Sequence, residues 1–231
     1  MSSMKNEVTV LKMAPPPRPS TAALQGFITV NVGPNGIEYQ LYRALLSHHS
    51  GYFRGVLSPQ SSFKETTDGV ITLSNADTTA FEFTVDWMYT QKLPSGSLEW
   101  FEAAGGELMK LIHYRIYILA DYLIIPQLKE AIFNYIFEIR MWCRPRPSNI
   151  LLAHENLPEG DPLLKFQVDA EALILKKGFH PKDEEGRASM AQLPPKFLVA
   201  VMVKMQKLMT IKDASWSSLR REDYSFDVSE D

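Results

Sequence analysis

The stretch from Phe27 to Tyr42, FITVNVGPNGIEYQLY, constrains the fold most tightly. Ile28, Val30 and Val32 alternate with Thr29 and Asn31. After Gly33-Pro34-Asn35-Gly36 the alternation resumes with Ile37, Tyr39 and Leu41. Successive side chains on a strand point to opposite faces, so two period-two runs around an Asn-Gly turn predict a hairpin with one buried face. That face needs a cover, and the remaining sequence supplies helices.

Short helices are predicted over Arg43–His49 and Gly51–Leu57, with Ser50 placed to cap the second and Ser58-Pro59 ending it. A third strand is predicted at Val70–Leu73. Asp77 is placed to cap a helix from Thr78 to about Tyr89, where Phe81, Val85 and Met88 form one stripe. Residues 91–106 predict a loop with a helical turn near 98–103. Leu108, Leu111, Ile112, Ile116, Leu119, Ala120 and Leu123 then mark one helical face. Leu128, Ile132, Tyr135, Ile136 and Ile139 mark the next, with Pro126 near its start.

Arg144-Pro145-Arg146-Pro147 breaks the chain. Three helical patterns follow. The first is Asn149–Asn156. The second opens with Asp161-Pro162 and runs to about Lys177. The third is Pro195–Met209, with Leu198, Val201, Met202, Met205, Leu208 and Met209 expected on its buried face. Residues 180–192 are polar and predict a surface loop. The predicted organisation is a disordered Pro-rich tail (1–24), an α+β domain (25–140), a helical extension (147–210) and an acidic disordered tail (211–231).

The 231 residues are 45% hydrophobic and 22% charged, enough to build a core without staples. A net charge of −3 gives no pull toward nucleic acid or anionic lipid. One cysteine and no Asn-x-Ser/Thr sequon fit a reducing, intracellular setting, cytoplasmic or nuclear. The first twenty residues lack the continuous apolar run of a signal peptide. The most apolar run, LIHYRIYILADYLII, is too short to span a bilayer and contains His113, Arg115 and Asp121. It predicts a core helix, and no membrane contact.

A search for reactive patterns returns nothing that stands. The chain has no phosphate-binding glycine loop, nucleophile elbow or HExxH pattern. Ser47, His48, His49 and Ser50 pair hydroxyls with imidazoles, yet adjacent helical residues point about 100° apart and do not face one metal. A small serine hydrolase built on Ser47 or Ser50 with His48 or His49 is kept as a remote alternative. Cys143 has no histidine pattern to make it a nucleophile, and methionines at helical spacing are usually core filler. The sequence therefore predicts no catalytic residue, no cofactor and no metal: not an enzyme.

Taken in order, the hairpin, YQLYRALLSHHSGYFRGVL, SSFKE, VITLSNADTTAFEFTVDWMYTQKL and LIHYRIYILADYLIIPQLKEAIFNYI resemble the BTB/POZ domain over about residues 25–140. The pieces that carry the resemblance include Leu45, Ser50, Tyr52 and Phe53, then Trp87, Tyr89, Ala120 and Leu128, taken here as fold-defining. The segment from Ala153 to Phe179, with LPPKFLVAVM after it, is similar to the extension of many fungal proteins with this domain. The resemblance implies an α+β fold, a small mainly antiparallel sheet packed on a helical cluster, and a module that binds proteins. Some members are substrate adaptors for cullin-based ubiquitin ligases and contact the cullin through a hydrophobic-x-acidic motif; Phe63-Lys64-Glu65 matches it, which implies Phe63 and Glu65 as cullin contacts. The alternative is a self-associating scaffold, a homodimer for instance, that binds no cullin. Where the family often has a histidine before the basic residue of the next helix, this chain has Tyr42, and its first hairpin turn has no acidic residue, which departs from the co-repressor-binding members.

Overall fold

In the computed structural model the described residues are 16–58, 69–95, 99–100, 109–140, 146–178, 184–211 and 215–226. The hairpin forms as its alternation dictates. Strand β1 (Phe27–Val32) pairs antiparallel with β2 (Ile37–Tyr42), in a register that sets Val30 opposite Tyr39. Gly33 and Gly36 take the turn's left-handed backbone, and a Cβ on Gly33 would meet the Thr78 hydroxyl at 2.7 Å. Strand β3 (Val70–Leu73) joins the other side of β1 in parallel, so the sheet order is β2-β1-β3. The class is α+β as expected. The sheet is mixed rather than mainly antiparallel, because the chain reverses through two helices after β2 and returns in the direction of β1. Ile28, Val30, Val32, Leu41, Ile71 and Leu73 are buried, while Ile37, at the start of the edge strand, is exposed.

Helices supply the cover. Helix α1 (Pro19–Ala23) precedes the sheet; α2 (Arg43–His49) and α3 (Gly51–Val56) follow β2. Helix α4 (Thr78–Thr90) opens on the Asp77 carboxylate, which accepts the Ala80 N–H at 2.8 Å. Then come α5 (Met109–Tyr122) and α6 (Pro126–Arg140). The later part of the chain holds α7 (Pro147–Asn156), α8 (Pro162–Lys176), α9 (Glu184–Ala191) and α10 (Pro195–Met209), then 3-10 turns at Trp216–Ser218 and Arg221–Asp223. No helix among the described residues is long and apolar enough to cross a membrane.

One core runs from the sheet into the later helices. Ile28, Phe53, Trp87, Ile116, Phe133, Leu163, Phe166 and Tyr224 belong to a single buried cluster. A second, smaller cluster joins α8 to α10 through Leu173, Phe197, Val201 and Leu208.

Five expectations change. Residues 19–23, inside the stretch expected as a disordered tail, form α1, started by Pro19 and anchored by the buried Ala22. Helix α7 begins two residues early, at Pro147, where proline's missing N–H costs nothing. The expected loop at 180–192 contains α9, for which Ala188, Met190 and Ala191 have good propensity and Leu193 gives a buried anchor. On α10 the buried stripe is set by Phe197, Val201 and Leu208, which turns Met202 and Met209 outward, 65% and 74% exposed. Residues 215–226, expected within a disordered tail, are packed, because Tyr224 is aromatic enough to bury.

Candidate protein-interaction surface

The residues 45–53, LLSHHSGYF, form the joint between α2 and α3, and Ser50 organises it. Its hydroxyl accepts the Phe53 N–H at 3.1 Å and donates to the Leu123 carbonyl at 2.5 Å. The first bond caps α3; the second fastens the joint to the turn after α5. Two more bonds repeat that tie: Gly51 N–H to the Ile124 carbonyl at 2.9 Å, and Tyr52 N–H to the Leu123 carbonyl at 3.3 Å. Only glycine fits at 51, since a Cβ there would lie 2.8 Å from Ile124 Cγ2. Leu45 and Phe53 point into the core, as do Trp87, Ala120 and Leu128 elsewhere in the domain.

The histidines are held by packing. His49 is buried, its ring T-shaped to Trp87 at 5.6 Å, with Gln91 Nε2 3.4 Å from its Nε2. Burial, and then the charge of His48, push its pKa down to about 4. Burial and the charge of Arg54 lower that of His48. Arg54 itself donates to the Ser47 and His48 carbonyls at 3.0 and 3.1 Å. The Ser50 hydroxyl is engaged as donor and as acceptor with backbone, which leaves it no proton for a histidine base.

The turn from α5 to α6 is where the surface becomes unusual. Helix α5 ends with the Ile125 N–H on the Ala120 carbonyl at 2.8 Å, which forces Ile124 to φ 53°. That left-handed position is ordinarily glycine's, and a β-branched residue there is strained. Ile124 is nonetheless 58% exposed and Tyr122 beside it 57%. Tyr52 leans on Tyr122, ring centroids 5.5 Å apart. Tyr122 at the end of α5 and Ile124 in the turn thus put two exposed apolar side chains two residues apart, with the partly buried Tyr52 behind Tyr122.

Beside the patch lies a cleft of about 570 Å³ between the turn after β3, α5 and α7. Tyr122 and Asp121 stand at its edge, Leu119 and Leu152 form apolar wall, and Ser74, Asn75 and Asn156 are polar lining. Arg115 donates to Asp77 at 2.6 Å across it. Its size is that of a pocket for a side chain or short peptide segment.

Aromatic rings also gather at the far end of the sheet. Phe27 and Tyr42 stack across the strands at 4.6 Å, and Tyr89 stands 6.3 Å from Tyr42. Tyr89, taken as fold-defining, is 44% exposed and belongs to this rim rather than the core. On the same sheet, Tyr39 donates to Glu82 at 2.8 Å; burial first, then that bond and charge, push its pKa up to about 12.

A family model for the BTB/POZ domain matches residues 27–138, the span from β1 to the last turn of α6. Residues 27–138 are a BTB/POZ domain. No curated protein matches the chain. BTB/POZ domains bind proteins and often self-associate. Both exposed aromatic groups belong to this domain, and Leu152 and Asn156 of α7, beyond the matched span, complete its cleft. Phe63 and Glu65 lie outside the described residues, as does Cys143. Sequence reading missed Tyr122 and Ile124. The signal available was Pro126, which disfavours helix at the preceding residue and so marks a sharp turn there.

Proposed function

We propose that this chain is a non-enzymatic adaptor, whose BTB/POZ domain docks one protein while the helices after it serve a second. The observation that carries a docking role is Ile124. An exposed, β-branched side chain is kept in a strained backbone position where glycine would relieve the strain, and the exposed Tyr122 stands two residues before it. Strain retained at an exposed apolar residue points to a use for that residue.

The partner proposed is a cullin, which makes the chain a substrate adaptor of a ubiquitin ligase. The motif Phe63-Lys64-Glu65 supports this, with Phe63 as the apolar anchor and Glu65 as a rim carboxylate. Titration of the full chain with a cullin N-terminal domain by calorimetry tests it. Saturable heat is expected with the wild type and loss of about tenfold or more in affinity with the Phe63→Ala, Glu65→Ala double variant, the scale of a hot-spot pair. No heat with the wild type rejects the cullin partner.

Self-association is the second reading, supported by the same patch, since an exposed apolar surface on a symmetric dimer can serve both partners. Sedimentation equilibrium decides it. A monomer at tens of micromolar, about the weakest range in which a dimer would act, rejects self-association.

A further inference from the structure

The segment that follows α10 is seated on the protein as a bound peptide would be. Residues 219–226 cross the groove between α6 and α8. Among the described residues, the backbone–backbone hydrogen bonds of this segment stay within it or its preceding 3-10 turn. No strand or helix of the fold continues into it. Side chains hold it instead.

Tyr224 is the main anchor, 1% exposed, with its ring centroid 5.4 Å from Phe166, 5.9 Å from Phe133 and 6.0 Å from Phe137. Its hydroxyl donates to Asp169 at 2.9 Å. Phe226 stands edge-on to Phe133 at 5.5 Å. The Arg221 guanidinium lies over both Phe133 and Phe226, at 4.7 and 5.3 Å, and donates to the Tyr224 carbonyl at 2.8 Å. Lys165 donates to the Asp223 carbonyl at 2.7 Å and lies over the Tyr224 ring, while Lys129 lies over Phe226.

Aromatic anchors in pockets, ringed by charge, are how short segments bind folded proteins. The groove meets the segment's backbone and its cation as well: Lys165 reaches the Asp223 carbonyl, and Glu130 of α6 accepts from Arg221 at 3.4 Å, while the Asp223 carboxylate pairs with Arg220 inside the segment. Asp169, held by Lys204 at 2.7 Å, offers its second oxygen to the buried hydroxyl and so favours tyrosine over phenylalanine at that position.

We propose that the groove between α6 and α8 is a recognition site for short peptides of the pattern Arg-x-x-Tyr-x-Phe, and that the chain's own Arg221, Tyr224 and Phe226 fill it in cis. A partner protein carrying such a segment binds there by displacing the cis occupant. This site is separate from the Ile124 patch and stands whichever protein binds that patch.

The test uses the full chain and a fluorescent peptide of residues 217–231. In the Tyr224→Ala, Phe226→Ala double variant the cis occupant no longer competes, so the peptide is expected to bind about tenfold or more tightly than to the wild type. A peptide with alanine at the Tyr224 position is expected to bind neither. Equal peptide affinity for both chains, or binding to neither, overturns the proposal. Native-state hydrogen exchange on the wild type gives an answer that does not depend on the variant folding. Amides of residues 221–226 are expected to exchange through an opening at lower denaturant than those of α6 and α8. Exchange only with global unfolding would make the segment ordinary core and overturn the proposal, as would a double variant with no cooperative unfolding transition.

Discussion

Ile124 sits where a left-handed backbone costs a β-branched residue about 1–2 kcal/mol. Ile124→Gly is therefore expected to raise stability by about 1 kcal/mol in urea denaturation, even though glycine loses more chain entropy. The same variant is expected to weaken partner binding or self-association, since it deletes the exposed side chain. A stabilised variant that keeps full binding would remove Ile124 from the interface. Ser50 predicts the opposite sign. Ser50→Ala deletes the cap of α3 and leaves the buried Leu123 carbonyl short of a donor, for an expected loss of about 2–3 kcal/mol. His49 sets a pH dependence. Its folded pKa, about 4, lies below the unfolded value of 6.5, so the unfolded chain binds more protons between those values. Stability from this group is complete above pH 6.5 and is lost as pH falls toward 4. Urea midpoints measured across that window are expected to fall less steeply for His49→Gln than for the wild type.

Between elements, one buried polar cluster joins the domain to the helices after it. Lys129 of α6 reaches Asp121 of α5 at 2.5 Å and Asp161, the cap of α8, at 2.7 Å. Tyr117 of α5 donates to Asp161 at 2.8 Å, and Asp161 also accepts the Leu163 N–H at 2.8 Å. Burial works against the Lys129 ammonium, but the hydrogen bonds to Asp121 and Asp161, with their charges, outweigh it and hold its pKa above the ordinary lysine value. Burial, then the charge and hydrogen bond of Asp161, raise the Tyr117 pKa. Asp161→Ala takes one of two carboxylates from Lys129, leaves the buried Tyr117 hydroxyl without its acceptor and removes a cap, and is expected to cost about 2–4 kcal/mol in chemical denaturation. A loss below about 1 kcal/mol would show that Asp161 does not hold the two parts together. The cap itself was legible, because Asp followed by Pro states a helix start in local chemistry. Its bond to Tyr117, 44 residues earlier, was not, because nothing local encodes it. The strands and the helices of the domain were legible for the same reason: their periods and caps are local. Helix α9 was missed because its sequence, EEGRASMA, opens on two acids and a glycine and gives no apolar stripe, and its anchor, Leu193, lies beyond its end. Tyr224 was missed because an acidic neighbourhood reads as solvated, and the rings that receive it lie on α6 and α8.

At the scale of the molecule, a core shared by the sheet, α5, α6 and α8 leaves no clean division between domain and extension. A single unfolding transition is expected. In a Trp142→Phe, Trp216→Phe chain, fluorescence reports Trp87 and Trp100 of the domain alone and is expected to coincide with far-ultraviolet circular dichroism, which reports every helix. Two separated transitions would mean that the later helices melt independently. Within that core Phe53 is fully buried, and Phe53→Ala is expected to cost about 3–5 kcal/mol.

The strand order bears on how the protein is made. β1 is central in the sheet, yet it is translated first. The hairpin gives it one neighbour after a four-residue turn, but the other edge waits for Val70–Leu73. While the ribosome adds those residues, the Thr29–Val32 edge presents unpaired amides beside two buried-face valines, which is a template for a neighbouring nascent chain. Substitutions in β3 that barely change the stability of finished protein should therefore lower its soluble yield, most of all where translation is slow between residues 42 and 73.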